Sequence, residues 1–265
     1  MTDTVRITAA NRTAWDTSAP HHGQGAYWDG LTAGFATPGY SRLDTLLSAA
    51  LTDAGIAGSR VVQVGCNNGR ELLSCFALGA RQGLGIDQSG AFLAQAETLR
   101  DIAGADCNFL RADIYDLPQN APSDFDVALI TIGVLNWMPD LPGFFASVAG
   151  LLRPGGRLVI YETHPFLEMF NPDSETPLTP DFSYFRRDPF TETAALTYDG
   201  LQAEGAESHW FIHTVGAIVT ACIGAGLRLD RLEEFPHSIR EVEYALYQGQ
   251  PAQLPLSYLL TATRA

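Results

Sequence analysis

Two aspartates, Asp87 and Asp113, each close a short apolar run, and a glycine-containing turn, Gly65-Cys66-Asn67-Asn68-Gly69, closes another. A carboxylate at the end of a strand can accept from paired hydroxyls or from an amino group. A glycine turn brings a ligand close to the main chain. From Ser59 the chain reads SRVVQVGCNNGRELLSCFALGARQGLGID. Val61, Val62 and Val64 form a β-branched run, and Leu72, Leu73, Phe76 and Leu78 recur at helical spacing. A second strand, Leu84-Gly85-Ile86, then stops at Asp87. Strand, turn, helix, strand and acid make the layout of a nucleotide-binding βαβ unit. Asp87 is placed to accept both hydroxyls of a ribose. Asn67 is of a type that tolerates positive φ. Asp113 is a natural acceptor for an adenine amine, with Ile114 and Leu117 beside the ring. Taken singly, the turn can be a bare strand-to-helix connection and each acid a solvated strand end; the spacing from turn to Asp87 favours a ligand. A dinucleotide fingerprint needs glycine at positions 65, 67 and 70, and Asn67 and Arg70 break it. The looser spacing 65, 67 and 69 is met at Gly65 and Gly69.

The elements that must position these residues alternate. The spacing predicts a helix over Ser41–Ala54, capped by Ser41 or Thr37 and ended by Gly55. Ser89 suits the N-cap of the helix through Phe92, Leu93, Ala96 and Leu99. Cys107–Ala112 reads as a third strand, and FDVALITI from Phe125 as a central strand buried on both faces. A helix from Leu141 ends at Arg153-Pro154-Gly155-Gly156, and Arg157–Tyr161 is a fifth strand. Strands alternating with helices predict a doubly wound α/β fold around a mainly parallel sheet, whose ligands bind beyond the carboxyl ends of the strands. Residues 1–40 read as irregular and aromatic, with glycines that break any long period. They are expected to pack on the domain or to cover a ligand as a lid. Residues 164–208 are rich in proline and aromatics and read as an insertion, with short strands near Phe182–Phe185 and Ala195–Tyr198. Trp210–Gly224 reads as a helix; Leu227–Leu232 and Leu256–Ala262 read as the last two strands.

Composition narrows the function. The 265 residues suffice for one α/β domain with an insertion, here residues 1–265, and 46% are hydrophobic. The net charge of −14 leaves no basic stripe for a nucleic acid or an anionic membrane. Cys66, Cys75, Cys107 and Cys222 are scattered without metal spacing and read as buried thiols of a reducing compartment. No apolar run reaches membrane-spanning length and no signal core opens the chain, so the expected location is cytoplasmic.

The string FDVALITIGVLNWMPDLPGFFASVAGLLRPGGRLVIYE, with the turn at Gly65 and the acids Asp87 and Asp113, resembles the core of the class I S-adenosylmethionine-dependent methyltransferases, small-molecule type. The resemblance covers roughly residues 41–163 and the C-terminal strand pair. It implies a seven-stranded Rossmann-like sheet, an N-terminal lid over 1–40 and an acceptor-side insertion at 164–208. It implies S-adenosylmethionine as cofactor. Gly65, Cys66, Asn67 and Gly69 would face its methionine part, Asp87 with Gln88 its ribose, and Asp113 with Ile114 its adenine. Thr131 and Gly133 would line the methionine side. Gln63 stands where the family usually carries an acid that helps hold the amino end, so it can accept a hydrogen bond but brings no charge.

Methyl transfer from a sulfonium is an in-line displacement, and a base is needed only when the acceptor must lose a proton. The resemblance places base candidates where strand ends meet the insertion: His164 first, His237 second, and Glu162. His21 and His22 can enter from the lid. Tyr27, Trp28, Trp137, Tyr184 and His213 are the expected acceptor contacts, suited to a flat or apolar small molecule. No acid cluster suggests a metal. The function expected is methyl transfer to oxygen or nitrogen of a small-molecule acceptor, with no nucleic acid or membrane partner and with a homodimer as a compatible assembly. The alternatives are a non-catalytic domain that binds S-adenosylmethionine, an NAD(P)-dependent oxidoreductase, which the broken fingerprint disfavours, and a methyltransferase acting on a macromolecule, which the acidity disfavours.

Overall fold

The computed structural model describes residues 3–197, 203–239 and 242–265, the last stretch without the side chains of Val242 and Glu243. Helices α1 (Asp3–His22), α2 (Gly25–Phe35) and α3 (Thr45–Asp53) precede strand β1 (Arg60–Val64). Then come α4 (Arg70–Ser74), β2 (Gln82–Asp87), α5 (Gly90–Ala103), β3 (Cys107–Arg111), β4 (Phe125–Thr131), α6 (Leu141–Leu151) and β5 (Leu152–Thr163). A hairpin of β6 (Phe190–Ala194) and β7 (Glu204–Trp210) follows, then α7 (Val215–Gly224), β8 (Leu227–Phe235) and β9 (Ser257–Arg264).

Seven strands form one sheet in the order β3-β2-β1-β4-β5-β9-β8. The first five run parallel, and β9 runs antiparallel between β5 and β8. The α/β fold with a seven-stranded, mainly parallel sheet is therefore as the sequence predicts. The chain leaves β1 for β2 on one side and later places β4 on the other. Such a reversal opens a crevice at the carboxyl ends of the neighbouring strands. In β1, Val61 faces one helical layer with Leu47, Leu51, Leu72 and Leu99. Val62 and Val64 face the other layer, with Phe144, Phe145, Val148 and Ile218. The period of two along a strand buried on both faces makes this division.

Three regions differ from expectation. Residues 3–35 form two helices rather than an irregular segment. The inward face of α1 is largely polar, with Thr8, Asn11, Ser18 and His22 buried, so no apolar period marks it. In α2, a side chain at Gly34 would collide with the ring of Tyr40, so the glycine allows close packing instead of breaking the helix. The helix expected from Ser41 begins at Thr45, because Asp44 caps it by accepting from the Leu47 N–H at 2.8 Å. In the insertion, the strands fall at Phe190–Ala194 and Glu204–Trp210, not near Phe182–Phe185. Ala195 follows β6 directly, and Tyr198 lies outside the described residues. The hairpin is fixed by Phe190 stacked on Trp210, centroids 4.0 Å apart, with the Arg186 guanidinium 4.1 Å from the Phe190 ring centre. Trp210 thus ends a strand, and the next helix waits for the Thr214 cap.

Gly85 sets how closely β2 approaches the glycine turn: a Cβ there would lie 2.6 Å from the Phe109 ring and 2.7 Å from the Cys66 Sγ. Gly85→Ala is expected to cost about 1–3 kcal/mol of stability and to shift Cys66. Thermal denaturation with a lowered midpoint, together with weaker ligand binding at the turn, is the expected result.

Candidate functional site

The turn after β1 is built from three residues in the left-handed region: Gly65 at φ 65°, Asn67 at φ 50° and Gly69 at φ 74°. The N–H groups of Gly65 and Cys66 both donate to the carbonyl of Ile86, at 2.8 and 3.1 Å, which ties the turn to β2. A Cβ on Gly65 would sit 2.7 Å from a Val134 methyl. Gly69 is the N-cap of α4, and a Cβ there would meet the Phe109 ring at 2.9 Å.

Asp87 holds the next element. One carboxylate oxygen accepts from the Asn67 N–H at 2.8 Å and the other from the Ser89 N–H at 2.9 Å. Burial pushes its pKa up, and the backbone donors of Ser89, Asn67 and Gln88 oppose that shift. Each oxygen keeps a further lone pair for a ligand. Asp113 stands beyond β3, where one of its oxygens accepts from the Tyr115 N–H at 3.0 Å. Gln63, buried, donates its amide N–H to the Thr131 hydroxyl at 3.0 Å.

These groups share a cavity of about 800 Å³ at the carboxyl edge of the sheet. Its lining includes Gln63, Gly65, Cys66, Asn67, Asp87, Gln88, Asp113, Ile114, Thr131 and Gly133. Gly69 shapes the turn without lining the cavity. From α1, α2 and the turn between them come Thr8, Trp15, His21, His22, Gln24 and Tyr27. Trp15 packs edge-on against Trp137 at 5.2 Å and Phe92 at 5.7 Å, forming an aromatic roof. Two polar atoms of lining residues are buried without a hydrogen-bond partner among the described residues: the Gln63 Oε1 and the Arg42 Nε. Arg70, also at the cavity, donates to the Tyr27 hydroxyl at 2.7 Å and to Glu71 at 2.8 Å. No sequence signal marked Arg42, Glu71 or Phe92 as site residues; the packing of Phe92 on Trp15 joins distant segments.

Other expected site residues lie elsewhere. Trp28 packs against the core layer that contains Leu47 and Leu51. The Tyr184 hydroxyl accepts from the Val215 N–H at 2.9 Å and helps start α7. His213 donates from Nε2 to the Met138 carbonyl at 2.8 Å and borders a separate cavity between α6 and α7. None of the three base candidates lines the 800 Å³ cavity. The His164 ring accepts the Phe166 N–H at Nδ1, 3.1 Å away, so its Nε2 carries the hydrogen and donates to Glu234 at 2.8 Å. Burial lowers its pKa, against the pull of Glu234. His237 is bonded to the Tyr161 hydroxyl at 3.0 Å.

Glu162 sits beneath the loop after β4 and accepts from the N–H groups of Gly133 and Leu135. It fastens a loop that lines the cavity. Burial raises its pKa to about 7, and those backbone donors oppose the rise. A carboxyl whose pKa is raised on folding contributes stability that is complete below its unfolded value and is lost as pH rises through the folded one. The melting temperature is therefore expected to fall as pH rises from about 4.5 to 7, and Glu162→Gln should flatten that fall when melting is followed across the same range. Among the described residues, no group of three or more His, Cys, Asp or Glu is arranged to hold a metal ion, and no helix is long and apolar enough to cross a membrane.

Residues 62–160 match the family model described as methyltransferase domain. Over 63 residues the chain is 43% identical to a malonyl-[acyl-carrier protein] O-methyltransferase of Prosthecochloris aestuarii, a match covering 23% of each protein. Over 131 residues it is 31% identical to a tRNA U34 carboxymethyltransferase of Shewanella piezotolerans, covering 49% of this chain and 37% of that one. The chain thus spans well under half the length of these curated relatives. Among solved structures, a magnesium protoporphyrin IX methyltransferase from Synechocystis PCC 6803 with bound S-adenosylhomocysteine has the same fold. Its TM-score is 0.57 at 16% identity, and the match covers 99% of both chains.

Proposed function

We propose that this chain, whose residues 62–160 form a methyltransferase domain in the class I S-adenosylmethionine-dependent fold, transfers a methyl group to an oxygen or nitrogen of a small-molecule acceptor. The observation that carries the reading is the join of turn and acid: Asp87 holds the Asn67 and Ser89 N–H groups while facing the cavity.

The cofactor of this fold is S-adenosylmethionine, and the residues present suit it. When bound, it supplies an electrophilic methyl on a sulfonium. Asp87 would take the ribose hydroxyls, and Asp113 with Ile114 the adenine. The unpaired Gln63 Oε1 would be an acceptor for the ammonium, and the unpaired Arg42 Nε a donor for the carboxylate. The turn at Gly65, Cys66 and Asn67 would carry the methionine chain, with Thr131 and Gly133 on its other side.

Segment 1–40 acts as the lid and 164–208 as the acceptor-side insertion of one domain. An 800 Å³ cavity shared with the cofactor leaves room for a small acceptor. Trp15, Tyr27 and Trp137 supply apolar and aromatic walls for it. A net charge of −14 favours a small molecule over tRNA, the acceptor named for one relative. Where the acceptor carries a proton, His21 is better placed than His164 to receive it, since it lines the cavity and His164 does not. The four free, buried cysteines favour a reducing compartment, the cytoplasm.

Calorimetric titration with S-adenosylmethionine and S-adenosylhomocysteine, beside Asp87→Ala, tests the reading. Binding on the order of micromolar is expected. The variant should weaken it about 100-fold, as the loss of two hydrogen bonds to a charged group implies. A folded protein that takes up neither compound would refute the reading.

A further inference from the structure

We propose that α1 and the β6–β7 hairpin form one cover over the cavity, and that Asp16 fastens this cover to Ser89 and so positions the ribose acid Asp87. The assignment of Asp87 to the ribose rests on the function proposed above; the unity of the cover does not.

The polar inner face of α1 is committed to the hairpin segment. The Asn11 side chain donates to the His209 carbonyl at 2.8 Å and accepts from the His209 N–H at 2.7 Å. This is the exchange that a neighbouring strand would make, supplied by one amide. Two turns on, the Ser18 hydroxyl oxygen accepts from the Leu196 N–H at 2.9 Å. His22, buried, donates from Nε2 to the Leu196 carbonyl at 2.7 Å. Thus α1 reads both main-chain groups of His209 and both of Leu196. These residues lie at the two ends of the hairpin segment, so detaching either partner alone would strand buried polar groups. Both partners also contribute to the cavity wall, α1 through Trp15 and His22 and the hairpin segment through Leu196 and Thr197.

Asp16 points the other way, toward the cofactor domain. Its Oδ1 accepts from the Ser89 hydroxyl at 2.7 Å and from the Ala91 N–H at 3.1 Å, and its Oδ2 lies 3.6 Å from an Arg111 nitrogen. Ser89 therefore stands between two carboxylates. Its hydroxyl donates to Asp16, and its N–H donates to Asp87 at 2.9 Å. The same hydroxyl accepts from the Phe92 N–H at 3.2 Å as the N-cap of α5. With Asp16 as its acceptor, the hydroxyl is oriented to keep the cap, and the cap fixes the N–H that Asp87 receives. A second tie, from the Gln95 amide to the Ala19 carbonyl at 2.7 Å, holds the end of α1 to the same helix. Asp16 touches no part of the cavity. It is a positioning residue that acts through Ser89.

Hydrogen–deuterium exchange of the full chain, with calorimetry using S-adenosylhomocysteine as the probe, tests both halves on Asp16→Ala, Asp16→Asn and Asn11→Ala. In Asp16→Ala, residues 3–22 and 204–210 should lose protection by the same factor, while β1, β2 and β4 keep theirs. Affinity for the probe should fall about tenfold, the loss of one hydrogen bond to a charged group. Asp16→Asn retains an oxygen for Ser89 and should stay within about threefold of the parent. Asn11→Ala should separate the two exchange rates, and it carries the test if Asp16→Ala does not fold. Loss of protection in 3–22 with 204–210 unchanged would overturn the single cover. An Asp16→Asn protein as weak as Asp16→Ala would overturn the route through Ser89. If the parent protein takes up no probe, the cofactor reading fails, and the exchange results still decide the cover.

Discussion

The hydrogen bonds that Asp87 accepts from Asn67 and Ser89 are the constraint on which the rest of the site depends. A carboxylate drawn partly out of water is costly unless donors replace that water. Here the donors are main-chain N–H groups from two separate segments, the turn after β1 and the start of α5. Satisfying the charge therefore fixes both segments relative to β2. Asn67 can present its N–H because its φ of 50° turns the chain there, and its own side chain then takes the Asn68 N–H at 2.8 Å. An acid at the end of β2 thus organises a turn and a helix start before any ligand arrives. The lone pairs left over face the cavity.

Most of this was legible in the sequence, for a physical reason. Strands buried on both faces show as apolar runs, and the residues that end them show as breaks in those runs. The turn at Gly65–Gly69, Asp87 and Asp113 are all such breaks, and all lie at the carboxyl edge of the sheet. The helix α1 was not legible, because it buries polar residues that bond to main chain, and hydropathy does not record that. Its partners, His209 and Leu196, lie nearly two hundred residues away.

The base candidates show the other limit. Glu162 and His164 follow strand five, and position in the chain puts them near the edge where ligands bind. Direction decides otherwise. Along β5, Glu162 shares a face with Leu158 and Ile160, which point into the layer that contains α6 and α7. The carboxylate consequently meets the N–H groups of Gly133 and Leu135 from below. Beyond it, the His164 N–H still pairs with the Leu256 carbonyl at 3.0 Å, and its ring is engaged with Glu234. Both residues support the site from behind. Their buried, fully bonded positions explain why acids and histidines at a strand end need not touch a ligand.

The exchange of an expected acid for Gln63 follows the same economy. Its amide N–H is held by the Thr131 hydroxyl, and a neutral amide avoids the desolvation cost of a buried carboxylate at that position. Among the described residues, that oxygen has no donor and the Arg42 Nε has no acceptor. Buried polar groups left unpaired in a native structure need an explanation, and a ligand is one. The unpaired amide oxygen calls for a hydrogen-bond donor and the unpaired guanidinium nitrogen for an acceptor. Under the function proposed above, an amino acid end group would meet that requirement, and Asp87 would be left for the hydroxyls of a sugar.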